Sequence, residues 1–208
     1  MLHRPWPHTA RLVARMADSA LDGPIAPRLP RSEGLHATTL LRKLHPVDRE
    51  DISEAQLAIY GLLGLAFEDR AERALIALSK ESDWPWTCFR PGEVTHDGIA
   101  CSPDILLVPK DGGALRELSL KCTWKSCRKL PVEIEGEDEF PLDKFGYYID
   151  QMETYGTPLD TLGGVLLAYF VCGDYQGARM PQVLGWEIEW SEQERAETWD
   201  ALLGVAHE

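Results

Sequence analysis

The sequence predicts an α/β (α+β) fold in which helices pack on a mixed sheet. Residues 102–121 read as two short apolar strands joined by a Lys-Asp-Gly-Gly turn, because Asp-Gly and Gly-Gly reach positive φ at little cost. Residues 165–172 form a continuous apolar run, the pattern of a strand covered on both faces. Apolar residues at helical spacing over 53–80 and 141–155 place helices before and between these strands.

Taken in order, residues 1–34 are rich in proline and arginine and predict an arm or linker that packs on the body or on a neighbour, with Pro24, Pro27 and Pro30 breaking regular structure after a helical turn or two near Leu12. Residues 35–208 form the main domain. A short helix is expected over 38–44. Ser53 and Gln56 give a capping-box start to the next helix, whose apolar positions are Leu57, Tyr60, Leu65, Leu75 and Leu78. Gly61 and Gly64 either divide it into two helices or mark a close packing contact. Glu68 and Glu72 share one face, and the ordinary expectation for both is a solvated acid. Residues 84–101 read as strands punctuated by Pro91-Gly92 and His96-Asp97-Gly98 turns. The helix over 141–155 is expected to end at Gly156. Residues 183–190 alternate, with Leu184, Trp186, Ile188 and Trp190 opposed to Glu187 and Glu189, as in a half-buried strand. Ser191 and Glu194 form a second capping box before a last helix.

The central hairpin carries the chemistry. A period of two sets Glu117, Ser119 and Lys121 on one face and Leu118 and Leu120 on the other. Asp104 opens the first strand. A carboxylate at one strand start and a lysine late on its partner converge, and such a pair suits metal and water.

Pro103-Asp104 before a strand, followed by a hairpin to a strand ending in Lys121, resembles the PD-(D/E)xK nuclease superfamily. The order of elements is most similar to the phage-type exonucleases, the lambda-exonuclease, YqaJ and Cas4-like group. Gly64-Leu65-Ala66-Phe67-Glu68 resembles that group's helical glutamate motif, and Gln151-Met152-Glu153-Thr154-Tyr155 its Gln-x-x-x-Tyr helix. The resemblance spans residues 60–190. It implies a restriction-endonuclease-like core, a mixed central sheet with the Glu68 helix on one side and the Gln151 helix on the other. It implies hydrolysis of DNA phosphodiesters with magnesium or manganese. Asp104 and Glu68 would hold metal with the backbone carbonyl of Leu120. Lys121 would orient the attacking water or steady the charge, with a depressed pKa if buried among metals. Gln151 would hydrogen-bond the water or the phosphate, and Tyr155 would contact the backbone or support Gln151. Thr123 and Ser126 would bind phosphate.

One departure stands at the site. The family's acid, two residues before the lysine, is Ser119 here, which leaves that hydroxyl to the substrate. Glu117 lies two residues earlier on the same face, roughly 6.6 Å along the strand. Either its longer side chain reaches back as the relocated metal ligand, or it is an ordinary surface residue and the site is weakened. The alternatives are therefore an exonuclease, a catalytically weakened or inactive module on the same scaffold that binds nucleic acid or protein, and an endonuclease.

Bulk properties narrow the partners. A net charge of −13 argues against a non-specific nucleic-acid coat, since phosphate binding rests on cations. A local strip of Lys121, Lys125, Arg128 and Lys129 follows the catalytic strand and suits phosphate contact. The acidic run over 133–139 reads as a solvated loop. No apolar run reaches membrane-span length, and the N-terminus lacks a secretory h-region. Five cysteines without a framework pattern point to a reducing cytoplasm, the host's if the chain is phage-encoded. They are scattered, which predicts buried apolar residues and neither an iron-sulfur cluster nor structural zinc. The expected partner is DNA. A recombination partner protein and a homo-oligomer that rings DNA are consistent with the resemblance.

Overall fold

The structure is a computed structural model and describes residues 1–18, 21, 32–46, 54–125, 127, 142–172 and 182–207. Among these residues the elements run β1 (Leu2–Pro5), α1 (Thr9–Met16), β2 (Leu35–His36), α2 (Ala37–Leu44), α3 (Glu54–Leu78), β3 (Trp86–Phe89), β4 (Val94–His96), β5 (Ile99–Cys101), β6 (Ile105–Pro109), β7 (Arg116–Thr123), α4 (Leu142–Leu159), β8 (Gly163–Phe170), β9 (Gln182–Glu189) and α5 (Glu192–Ala206). One sheet has the order β1-β9-β8-β7-β6-β3 and a smaller one β2-β5-β4. In the larger sheet β7 runs parallel to β8 and the other neighbours are antiparallel, so the sheet is mixed. Parallel neighbours need a long crossover, and α4 lies within it.

Strand alternation sorts the side chains into two layers. Ile105, Leu107, Leu118, Leu120, Val165 and Leu167 meet Phe67, Ala71, Ala74, Leu75 and Leu78 of α3. On the other face Leu166, Ala168, Phe170, Trp186 and Ile188 meet Phe145, Ile149 and Met152 of α4. β8 contributes to both layers, which accounts for its unbroken apolar run. A third cluster joins α2, β5, α4 and α5 through Leu40, Leu41, Ile99, Tyr155, Trp199 and Leu202. The expected flanking of the sheet, α3 on one side and α4 on the other, is therefore present. Ser191 caps α5 in a complete capping box with Glu194.

Several local expectations differ. The hairpin connection is longer than a tight turn: β6 ends at Pro109, β7 begins at Arg116, and Gly112 supplies the positive φ of 82°. Gly61 and Gly64 do not divide α3, which is continuous and about 37 Å long. A Cβ at Gly64 would lie 4.0 Å from the Cβ of Cys122, so Gly64 marks where the helix passes close to β7. α4 continues through Gly156 to Leu159. Asp160, at φ 51°, takes the left-handed position, with Asp160 N donating to Thr157 O and Thr161 N to Gly156 O in a Schellman pattern. Gly156 serves packing instead: a Cβ there would lie 3.0 Å from Thr161 O and 3.2 Å from the Trp190 ring.

Leu2–Pro5, within the segment expected as an arm, pairs with β9 as an edge strand, and α1 places Leu12 in the α3-side core. Arg4 Nε donates to Glu187 Oε2 at 2.5 Å, and Arg11 bonds Glu81 and Asp83. Pro24, Pro27, Pro30, the Ser53 cap and the 133–139 run lie outside the described residues.

Two glycine replacements separate the packing role from helix propensity. A Cβ at Gly164 would meet Glu117 O at 2.9 Å and Met152 Cε at 2.6 Å, whereas one at Gly146 meets nothing within 4 Å. Gly164→Ala is expected to destabilise the chain by about 1–3 kcal/mol. Gly146→Ala, inside α4, is expected to stabilise it by about 1 kcal/mol. Urea unfolding of both variants checks the opposite signs.

Candidate active site

The site forms where the β6–β7 ladder ends. Ile105 pairs with Leu118, so the next register position sets Asp104 opposite Ser119. β6 starts only at Ile105, which leaves the Leu120 amide beyond the end of its backbone partner. The Asp104 carboxylate takes over: Oδ2 accepts from Leu120 N at 2.8 Å. The same oxygen lies 3.5 Å from Lys121 Nζ. The backbone amide thus fixes the carboxylate, and the carboxylate fixes the ammonium. Lys121 Nζ also sits 5.5 Å from the centroid of the Tyr148 ring on α4.

Glu117 and Ser119 occupy the same face of β7 as Lys121. Glu117 is fully buried, and neither carboxylate oxygen has a hydrogen-bond partner. It is therefore not a surface residue. Burial pushes its carboxyl well above the usual carboxylate range, the Asp104 charge pushes further, and Lys121 opposes both. Ser119 is buried with an unpartnered hydroxyl. Burial acts to lower the Lys121 ammonium, but Asp104, Glu117, Tyr148 and Glu68 together outweigh it, and its pKa stands above the ordinary lysine value. The surrounding negative charge favours the ammonium, whereas the depression implied by the resemblance requires bound metal ions beside it.

Glu68 approaches from α3. Gly64 faces Cys122, and Glu68 follows one turn later, so its charge acts on Lys121, Cys122 and Arg90. Gln151 is buried on α4 and donates from Nε2 to Tyr155 Oη at 3.0 Å. Burial raises the Tyr155 phenol, with the charge of Glu117 adding to the effect. Asp104 and Lys121 are thus in contact, and the charges of Glu117 and Glu68 act on the same lysine, while Gln151 and Tyr155 pair with each other on α4. Thr123 is buried, and its Oγ1 accepts from Lys125 N at 3.1 Å. Lys125 is exposed. Ser126, Arg128 and Lys129 lie outside the described residues.

Glu72 differs from the solvated acid its position suggested. It is buried and paired with Arg90, Oε2 to Nη2 at 2.5 Å. Arg90 and Tyr148 are site residues that no sequence pattern singled out. An arginine after a strand is unremarkable until the sheet register is known, and Tyr148 is distinguished from Tyr147 only by which helix face meets β7.

Among the described residues, no three side chains of the His, Cys, Asp and Glu types stand close enough to hold an ion as they are. The donor set nevertheless suits a hard cation that keeps several waters: carboxylates, one of them buried and unpartnered, and a backbone carbonyl. The Leu120 carbonyl points to the same side of β7 as its amide, the side of β6, because one strand residue directs both groups to one side. The cysteines lie apart in the fold: Cys88 contacts Ser79, Cys101 belongs to the α2–α5 cluster, and Cys127 bonds Gln182.

The fold is similar to that of LHK-Exo in complex with dAMP, with a TM-score of 0.51 and 16% identity over 84% of this chain and 86% of that one. The alkaline exonuclease (LHK-Exo) from Laribacter hongkongensis also matches, with a TM-score of 0.47 and 14% identity over 84% and 86% of the two chains. So does a phage related exonuclease from Haemophilus somnus 129PT, with a TM-score of 0.43 and 12% identity over 85% and 92%. No protein-family model matches the chain, and no curated protein matches it.

The state of Glu117 has a measurable consequence. A carboxyl whose folded pKa is raised binds its proton more tightly folded than unfolded, so stability falls as pH rises from the ordinary glutamate pKa toward the raised value. Glu117→Gln removes that dependence. Without divalent ions, the variant is expected to melt above the parent at pH 8, with the gap closing toward pH ~4.3. Thermal unfolding at the two pH values checks this.

Proposed function

We propose that the chain is a metal-dependent DNA nuclease, an exonuclease of phage or mobile-element type that acts on linear DNA in recombination or processing. The observation that carries this reading is the Asp104 carboxylate, held between the Leu120 amide and the Lys121 ammonium. It stands on the same sheet face as the buried, unpartnered Glu117 carboxylate. The fold shared with LHK-Exo supports the nuclease class.

Asp104, Glu117 and the Leu120 carbonyl would hold magnesium or manganese, with Glu68 completing the set from α3. The bound ion supplies an activated water and charge relief at phosphorus. Lys121, 3.5 Å from Asp104, would hold a phosphate oxygen or the attacking water in line. Gln151, anchored by Tyr155, would accept from a water through its amide oxygen or donate its second amide N–H to a phosphate oxygen. Ser119 offers a hydroxyl with no competing partner. Thr123 ends β7, Lys125, Ser126, Arg128 and Lys129 follow it in sequence, and together they would line the path of the DNA backbone. Glu117 replaces the family's acid in this reading, from a buried position two residues upstream.

A second reading is a DNA-binding module without hydrolysis. Ser119 in the acid's place and the absence of a ready three-ligand cluster among the described residues favour it. Incubation with linear and closed circular DNA in magnesium or manganese separates the readings. The nuclease should digest linear DNA and spare closed circles. Asp104→Ala and Lys121→Ala should each slow digestion by about 10²–10⁴-fold. Cutting of closed circles would indicate an endonuclease, and binding without cutting the inactive module.

A further inference from the structure

Arg90 directly follows β3. In the β3–β6 ladder Phe89 pairs with Leu106, so the next register positions set Arg90 beside Ile105 and Pro91 beside Asp104. The arginine backbone is thus fixed one residue from the acid that opens the site. Its side chain is clamped by Glu72, which is buried and lies one turn of α3 beyond Glu68. Arg90 Nη2 donates to Glu72 Oε2 at 2.5 Å and Nε to Oε1 at 3.4 Å. A guanidinium has five N–H donors. Among the described residues Arg90 bonds Glu72 alone, and 21% of its side chain remains open to solvent.

This arrangement differs from a simple tie between α3 and β3. Glu72 occupies one edge of the planar fork, which orients the guanidinium and leaves its remaining donors unmatched among the described residues. A fixed, partly desolvated guanidinium with spare parallel donors suits a phosphate, which it grips through two N–H groups. The setting needs such a cation. The chain carries a net charge of −13, and Glu68 and Asp104 add local negative charge that would repel an approaching phosphodiester. The fields of Glu72, Glu68 and Asp104 all act on Arg90, which places it electrostatically within the site.

We infer that Arg90, oriented by Glu72, binds a backbone phosphate of the DNA beside Asp104. The inference rests on the nuclease reading and names a substrate-binding residue for the same site.

Removing Arg90 alone would strand the buried Glu72 charge and endanger folding. The test therefore uses the double variant Glu72→Gln/Arg90→Gln beside Arg90→Lys and the parent. Binding of a short linear duplex is measured by fluorescence anisotropy in calcium across a salt series. Loss of one phosphate contact should make the slope of log affinity against log salt shallower by about 0.9 in the double variant. Affinity at low salt should fall about tenfold. Arg90→Lys should retain the parent's slope while losing part of the affinity, since it keeps the charge but not the fork. A double variant that binds with the parent's slope overturns the assignment, whether its melting temperature changes or not, because a purely structural tie does not alter counterion release. In that outcome a parent that still digests linear DNA keeps the nuclease reading. A parent that neither binds nor cuts DNA overturns both.

Discussion

β7 must be covered on both faces, and only one of its faces is apolar. Leu118 and Leu120 satisfy the α3 side in the ordinary way. The other side buries Glu117, Ser119 and the stem of Lys121 beneath α4. A buried carboxylate with no partner is costly in a medium that cannot solvate it. Protonation is one escape, and a cation brought in from outside is the other. The local structure keeps both open: Asp104 sits where the β6 ladder ends and claims the Leu120 amide and Lys121, leaving Glu117 unpaired. A strand built only for stability would put an apolar residue at 117. The cost carried there is the observation on which the proposed metal site rests.

The helices approach closely enough to enclose that face because small residues permit it. Gly164 on β8 leaves room for the Met152 side chain, which brings α4 and with it Gln151 and Tyr148 toward β7. Gly64 on α3 opposes Cys122 and brings Glu68 and Glu72 to the same end of the sheet. Gly156 admits Trp190 against α4, which closes the far end of the helix. Each contact is a steric permission at one position, and each sets the distance between a helix and the charged groups it delivers. Site and core are not separable here, since the packing that stabilises the layers also sets the spacing of the carboxylates.

Charge is managed locally within an acidic chain. Arg90 is committed to Glu72 and Lys121 to Asp104, so cation and anion alternate around the mouth of the site. Arg4, Arg11 and Arg195 are spent on Glu187, on Glu81 and Asp83, and on Asp160, far from it in the fold. In the proposed reading, Arg90 and Lys121 are the fixed positive donors that would meet a phosphate beside Asp104.

What is periodic or local was determined by the sequence alone. The alternation of β7 put Glu117, Ser119 and Lys121 on one face; the continuous run of β8 announced a strand covered on both sides; Ser191 and Glu194 marked the start of α5. The motifs around Glu68, Asp104, Lys121 and Gln151, taken in order, carried the family resemblance that implied a shared site. Tertiary structure decided what depends on two distant segments at once. Arg90 and Glu72 become partners only through the β3–β6 register and the pitch of α3 against it. Glu117 becomes fully buried, rather than a rim residue, only because α4 covers that face. Leu2–Pro5 becomes an edge strand because β9 offers an open ladder, which no pattern in a proline-rich segment announces. Gly156 looked like a helix terminator and instead makes room for an indole. Periodicity is a property of one segment, whereas an ion pair, a desolvated carboxylate or a steric permission belongs to the pair of segments that meet.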